Sequence, residues 1–286
     1  MTRPNVHPLV RNLSVFLVAG VYDALSAKLA ERAGFQSVVL TGYGVAASYL
    51  GEPDFGLLTQ SEMLDVARRV CRAVKIPVIV DGDTGYGSAL NVMRMVRELV
   101  QMKASGILLE DQAWPKRCGH MRGKSVVPME EHAQKIRAAR EAKGKAPFFI
   151  TARTDALGPL GLDEAIRRGQ AYKEAGADLI FVEAPETVDQ LRRIAAEIPG
   201  AKVINMIEGG KTPLLPLEEV HRLGFFSCGY VLTGLFAAAR ALADTYAHVL
   251  EHGDSHGIAD RLMSFEELTA LLGLDEKYAL DEKFRA

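Results

Sequence analysis

Cysteine is scarce in this chain: Cys71, Cys118 and Cys228 are the three in 286 residues. They lie far apart, are odd in number and form no CxxC pair, which argues against a disulfide framework or a structural zinc site. A surplus of charge is also missing. Lys+Arg total 34 and Asp+Glu 36, a net charge of −2, so the basic excess of a general nucleic-acid surface is absent. No apolar run approaches the roughly 18 residues needed to span a bilayer. The opening stretch MTRPNVHPLVRNLSVFLVAG lacks the long apolar core of a secretion signal. No GxGxxG follows the first apolar run, so a dinucleotide-binding reading has no support. These absences predict a cytoplasmic protein with neither nucleic-acid nor membrane partners.

What is present is a repeating unit. With 48% apolar residues, the chain has ample material for one large core. LSAKLAERAGFQSVVLTG, VMRMVRELVQMKASGILLED, AIRRGQAYKEAGADLIFVEA and LEEVHRLGFFSCGYVL each read as an amphipathic helix, a glycine and a buried strand. The glycines are Gly34, Gly106, Gly176 and Gly224, each read as a left-handed helix cap. Further apolar runs between these copies bring the strands to eight, near 14–19, 36–41, 77–82, 106–110, 147–153, 178–183, 202–206 and 226–232. They are continuously apolar, as strands buried on both faces are. Eight β/α units predict an α/β fold, a closed (β/α)8 barrel over residues 1–252. An open doubly wound sheet is the alternative. Residues 253–286 break the pattern and predict an extension with one short helix near 264–272 and a charged end. That helix would pack either on its own barrel or on a partner subunit.

In such a barrel the active site lies at the C-terminal ends of the strands. There the sequence places Thr41 and Gly42, Asp81 and Asp83, Glu110 and Asp111, Arg153 and Asp155, Glu183, and Asn205 and Glu208, with Asp54 in a loop. Asp81 and Asp83 are two apart, so on an extended strand they face the same way. Carboxylates converging on one mouth repel one another, and a hard divalent cation with oxygen ligands resolves that. Asp54, Asp81, Asp83 and Glu110 are the candidate metal set, for Mg²⁺ or, as a substitute, Mn²⁺. Arg153 suits a substrate carboxylate, held by forked hydrogen bonds. A cation beside an arginine fits a small anionic substrate.

After the fourth strand comes a charged loop with Cys118 among Lys116, Arg117 and His120. Such neighbours predict a thiol that ionises more readily than a free one, able to transfer a proton or attack as a nucleophile. Cys71 and Cys228 sit in apolar runs and read as inert buried residues.

These residues resemble the isocitrate lyase/phosphoenolpyruvate mutase superfamily, over about residues 14–250. KRCGH at 116–120 is similar to the catalytic loop of the lyase branch, which includes the 2-methylisocitrate and 2,3-dimethylmalate lyases. DGDTGYG at 81–87 is similar to the magnesium motif, and LEDQ at 109–112, ARTDA at 152–156 and VEA at 182–184 match as well. The mutase and phosphonopyruvate hydrolase branches generally lack the cysteine loop. Two positions depart from the common pattern, Gly82 between the aspartates and Tyr43 in place of something smaller.

The resemblance implies a Mg²⁺-dependent barrel enzyme that cleaves a C–C bond of a 2-hydroxy di- or tricarboxylate by retro-aldol chemistry. It implies Cys118 as general acid/base, with Lys116, Arg117, Gly119 and His120 as its loop. Thr41, Gly42 and Tyr43 would hold a 2-oxo-acid carboxylate through backbone N–H groups. Arg153, Glu183 and Asn205 would contact substrate. It also implies a homotetramer whose C-terminal helix swaps between barrels. An oxaloacetate decarboxylase or a phosphonate C–P enzyme, such as a carboxyphosphonoenolpyruvate phosphonomutase, would use the same scaffold. A barrel kept as a non-catalytic subunit would be expected to have lost parts of this set.

Overall fold

A computed structural model describes residues 16–285. Its chain order is β1 (Phe16–Val21), α1 (Ala24–Arg32), β2 (Ser37–Leu40), α2 (Gln60–Ala73), β3 (Val78–Asp81), α3 (Ala89–Gln101), β4 (Gly106–Glu110) and α4 (Met129–Lys143). It continues through β5 (Phe149–Thr154), α5 (Leu162–Glu174), β6 (Leu179–Val182), α6 (Val188–Glu197), β7 (Ala201–Asn205), α7 (Leu217–Arg222), β8 (Ser227–Tyr230) and α8 (Thr233–His252). All eight strands are parallel and close into a barrel in sequence order, with β8 returning to β1 through Phe16↔Ser227 and Val18↔Gly229. This is the TIM-type fold, and the open sheet is excluded. Each strand falls within about two residues of its expected place. The first runs on to Val21, because Val21 still pairs with Leu40, and positions 14 and 15 lie outside the described residues.

Strand burial explains the continuous apolar runs. Every residue of β5 and β6 is buried, since helices cover one side and barrel side chains fill the other. The helices start on side-chain caps. Thr59 with Glu62 and Ser88 with Asn91 form reciprocal capping boxes at α2 and α3, where a cap contributes about 1 kcal/mol. In α2 the buried Met63, Leu64, Val66, Ala67 and Val70 make one inward stripe.

Gly34, Gly176 and Gly224 have positive φ, as expected of helix caps, but Gly106 does not. There Lys103 takes the left-handed turn at φ 63°. Gly106 instead opens β4, where a Cβ would come within 2.8 Å of the Phe149 ring and carbonyl. Its job is close packing against β5.

The chain divides into two compact units, one ending at Leu235 and one from Phe236 onward. The division falls in the first turn of α8, whereas residue 252 is where that helix ends. Beyond α8 come a short 3-10 turn (His256–Arg261), α9 (Phe265–Leu272) and α10 (Leu274–Phe284). The expected helix near 264–272 is α9. The charged end is a second helix, set off by Gly273 at φ 78°. Among the described residues no helix is long and apolar enough to cross a membrane.

Candidate active site

The strand ends surround a cavity of about 1030 Å³, counting its open mouth. It is lined at the top by Tyr43, Asp54, Asp81, Cys118, Arg153 and Asn205. On one side stand the carboxylates. Asp81 ends β3 and accepts hydrogen bonds from the Gly42 N–H and the Asp83 N–H, both at 3.1 Å. Asp83 sits at φ 46°, a left-handed turn that aims its carboxylate back toward the mouth. There it accepts from the Tyr86 hydroxyl at 2.9 Å. Lys116 reaches down from the loop and pairs with both Asp54 and Asp83 at 2.5 Å. Burial opposes charge on Lys116, but Asp83, Glu110, Asp54 and Asp81 outweigh it and hold the ammonium well above the ordinary lysine range.

On the other side stands Arg153. Its Nε and Nη2 donate to the two oxygens of Asp155 at 2.8 and 3.0 Å. It also pairs with Glu183 at 3.1 Å and Glu110 at 3.3 Å, and its guanidinium lies over the Phe181 ring. The fork expected to hold substrate therefore grips Asp155, and a substrate carboxylate must use what the guanidinium still presents to the cavity. Burial acts against the Asp155 charge, yet Arg153 and Lys124 bring its carboxyl down to about 2. Glu183 is likewise lowered against its burial, by Arg153 and His120.

The loop from 112 to 126 crosses between these two sides. Gln112 bridges Val126 and clasps the Arg117 backbone through both its amide groups. The Cys118 N–H donates to the Asp54 carbonyl at 3.1 Å. His120 accepts from the Lys211 N–H at Nδ1, 2.9 Å, so its proton sits on Nε2, 3.0 Å from Glu183. At Gly119 a Cβ would collide with the Glu183 and Arg153 side chains. Only glycine lets the loop lie this low.

The thiol does not behave as its neighbours in sequence suggest. Burial pushes Cys118 up to about 11, with Glu183 and Asp54 adding to the rise. The expectation of an easily ionised thiol is overturned. Lys116 spends its charge on Asp54 and Asp83, and Arg117 turns outward to stack on Phe55 and bond the Arg122 carbonyl. Arg117 is thus not brought into the cavity. At the rim of the cavity, burial favours the protonated form of Cys118. All three cysteines are free.

The Thr41–Tyr43 turn also differs from expectation. The Thr41 N–H is bound to the Val21 carbonyl and the Gly42 N–H to Asp81, which leaves Tyr43 as the remaining amide. Asn205 lines the cavity, in space that Gly229 leaves open, since a Cβ there would meet Asn205 Oδ1 at 2.6 Å.

The carboxylates fit a cation. Burial, then the Asp83 charge, raises Asp81. Burial raises Glu110 well above the carboxylate range, and its Oε1 is buried without a hydrogen-bond partner. Among the described residues no three carboxylate, histidine or cysteine groups converge tightly enough to enclose an ion directly. The set suits an ion held partly through water, as Mg²⁺ is.

Sequence reading missed several members. Lys124 bridges the Gly119 carbonyl and Asp155. Asp111 lies behind the site and accepts from Thr154, Arg168, Tyr172 and the Asp155 N–H. Asp111 and Asp155 were visible as polar strand ends. For Lys124 only its place on the loop was a signal.

A family model described as phosphoenolpyruvate phosphomutase matches residues 7–250. The chain is 49% identical to the petal death protein of Dianthus caryophyllus over 284 residues, 99% of this chain and 89% of that one. It is 43% identical to the 2,3-dimethylmalate lyase of Eubacterium barkeri over 275 residues, covering 96% and 95%. A solved structure of phosphonopyruvate hydrolase in complex with oxalate and Mg²⁺ superposes with a TM-score of 0.88 at 31% identity, covering 97% of each chain. With a closed barrel, a carboxylate-lined mouth and a cysteine loop over it, this chain is an enzyme that belongs to the isocitrate lyase/phosphoenolpyruvate mutase superfamily.

Proposed function

We propose that the chain is a Mg²⁺-dependent carbon–carbon lyase. Its substrate is a 2-hydroxy di- or tricarboxylate, such as 2-methylisocitrate, 2,3-dimethylmalate or a related alkylmalate. The products are a 2-oxo acid such as pyruvate and a second carboxylic acid. The observation that carries this reading is the place of Cys118 at the rim of a cavity that Asp54, Asp81 and Arg153 also line; burial, which favours the protonated thiol, agrees with it.

Asp54, Asp81, Asp83 and Glu110 would hold the ion, partly through water. When bound, it supplies Lewis-acid stabilisation of negative charge on the substrate oxygens. The Tyr43 amide and the open edge of Arg153 orient the substrate carboxylates. As the 2-hydroxyl releases its proton to water in the cavity and the C2–C3 bond breaks, C2 becomes a carbonyl and C3 keeps the electron pair, spread into its neighbouring carboxylate. Arg153 stabilises that charge as it grows, and Cys118 delivers its proton to C3. Glu183 and Asn205 complete the wall. His120, paired with Glu183, keeps the loop seated.

The assembly expected for this family, a homotetramer exchanging its C-terminal helix, belongs to the same reading. It is supported by α8, α9 and α10, which have no buried residue, and by the exposed Tyr246, Leu250, Phe265 and Phe284. Residues 1–252 would then carry the chemistry and 253–286 the exchange.

The test is a panel of 2-methylisocitrate, isocitrate, 2,3-dimethylmalate and alkylmalates with Mg²⁺, reading released 2-oxo acid. Turnover is expected with at least one, and Cys118→Ser is expected to lose about 10²–10⁴-fold in kcat. Carbon dioxide from oxaloacetate, or phosphonate chemistry, as the only activity would replace this reading by the decarboxylase or the C–P enzyme.

A further inference from the structure

We infer that Lys124 is a positioning residue: with Asp155 it forms a latch that sets the height of the Cys118 loop over Arg153. Lys124 Nζ donates both to the Gly119 carbonyl and to Asp155 Oδ1, the latter at 2.8 Å. Its side chain is 7% exposed and that of Asp155 is 0%. Gly119 follows Cys118 directly and already rests against Glu183 and Arg153. Its carbonyl is therefore the point from which the loop's height is fixed.

Asp155 holds the other end. One carboxylate receives both the Arg153 fork and Lys124, so the arginine and the thiol loop share one reference point. Asp155 is itself anchored through its backbone. Its N–H donates to Asp111 at 2.8 Å, and Arg168 and Tyr172 pin Asp111 from behind.

The pair also biases closure. A buried ammonium is tolerated only with its partner in place. Were the loop to lift, Lys124 would return to water while Asp155 kept Arg153. The attraction thus acts only in the seated loop. Lys116, His120 and the Cys118 N–H tie the loop to the carboxylates, β6 and the segment after β7. Lys124 is its side-chain tie to the end of β5. The effect on turnover rests on Cys118 being the proton donor; the latch itself does not.

The experiment compares wild type, Lys124→Met and Lys124→Arg in the full chain. It reads the iodoacetamide alkylation rate of Cys118 by mass spectrometry, hydrogen exchange over residues 113–125, and kcat and KM separately. Buried Cys228 serves as the internal control for an intact barrel. In Lys124→Met, Cys118 alkylation is expected to rise at least about tenfold as the thiol gains solvent. Exchange over the loop rises with it. Turnover falls about 10²-fold in kcat, the scale of a 1 Å misplacement, with a smaller change in KM. Lys124→Arg restores part of each. Wild-type alkylation and exchange in Lys124→Met would overturn the latch. A loosened loop with unchanged kcat would overturn the positioning role. If Cys228 becomes reactive, marking a lost fold, the same readings on Lys124→Gln decide. Absence of lyase turnover in wild type would sink the lyase reading alone, because alkylation and exchange still decide the latch.

Discussion

The two ends of one strand show how differently this barrel is held together. Along β5, Phe149, Thr151 and Arg153 all line the interior, two residues apart and on one face. At the base, Phe149 packs with Leu179 and Phe226, and Phe16 meets Phe226 edge to face at 5.3 Å. At the mouth, Arg153 is gripped by Asp155, Glu183 and Glu110. The base is held by apolar burial, which is non-directional and roughly additive in area. The mouth is held by charges that are tolerated only because each has the others. Stability at the base is local. At the mouth, stability and chemistry rest on the same contacts.

The largest break in that contrast is Arg153→Met. It takes away the partner that Asp155, Glu183 and Glu110 share, and removing one partner of a buried ionic set typically costs about 3–5 kcal/mol. Lyase turnover is expected to vanish and thermal denaturation to fall together. A variant that melts like wild type would show that the mouth is not interlocked. Phe149→Ala is the counterpart at the base. Its cost is expected to be about 3 kcal/mol, from lost transfer energy and a partly collapsed cavity, with kcat unchanged well below the melting temperature. A drop in kcat to match would mean that the base transmits strain to the mouth.

The same contrast explains what was legible in the sequence. Strands buried on both faces write themselves as unbroken apolar runs, so all eight were readable. So were the polar ends of the strands, because topology alone carries Asp81, Glu110, Arg153 and Glu183 to one mouth. What failed was inference from adjacency. Lys116 and Arg117 precede Cys118 in sequence yet send their charges to Asp54 and Phe55, and burial then raises the thiol instead of its neighbours lowering it. Gly106 looked like a helix cap because it follows a helix, but Phe149 across the barrel decides its role. The stretch after 272 read as a charged end, and α10 begins there directly after Gly273. The Lys124–Asp155 contact spans 31 residues, and no local pattern encodes it.

A finer test asks what a buried ionisable group does when the interlock passes it by. His132, on the first turn of α4, is fully buried, and neither ring nitrogen has a hydrogen-bond partner. It stands edge-on to Tyr172, with ring centroids 4.6 Å apart. Burial first, then the Lys135 and Arg168 charges, bring it down to about 4, against the opposite pull of Asp111. An unfolded histidine takes its proton near 6.5. Between those values the unfolded chain binds more protons than the folded one. The contribution is therefore full above about pH 6.5, declines as pH falls, and is gone below about 4, roughly 3 kcal/mol in all. Asp155, lowered to about 2, loses its share only below the ordinary carboxylate range, so the two windows separate. Urea unfolding at pH 7 and pH 5 is expected to show a loss of about 2 kcal/mol in wild type that His132→Phe lacks. Equal losses in the two proteins would mean that His132 finds a partner for its proton after all. The Leu109 backbone and the Asp111 charge both favour its protonated form, and through Asp111 the interlock of the mouth would then extend one layer further out than the hydrogen bonds show.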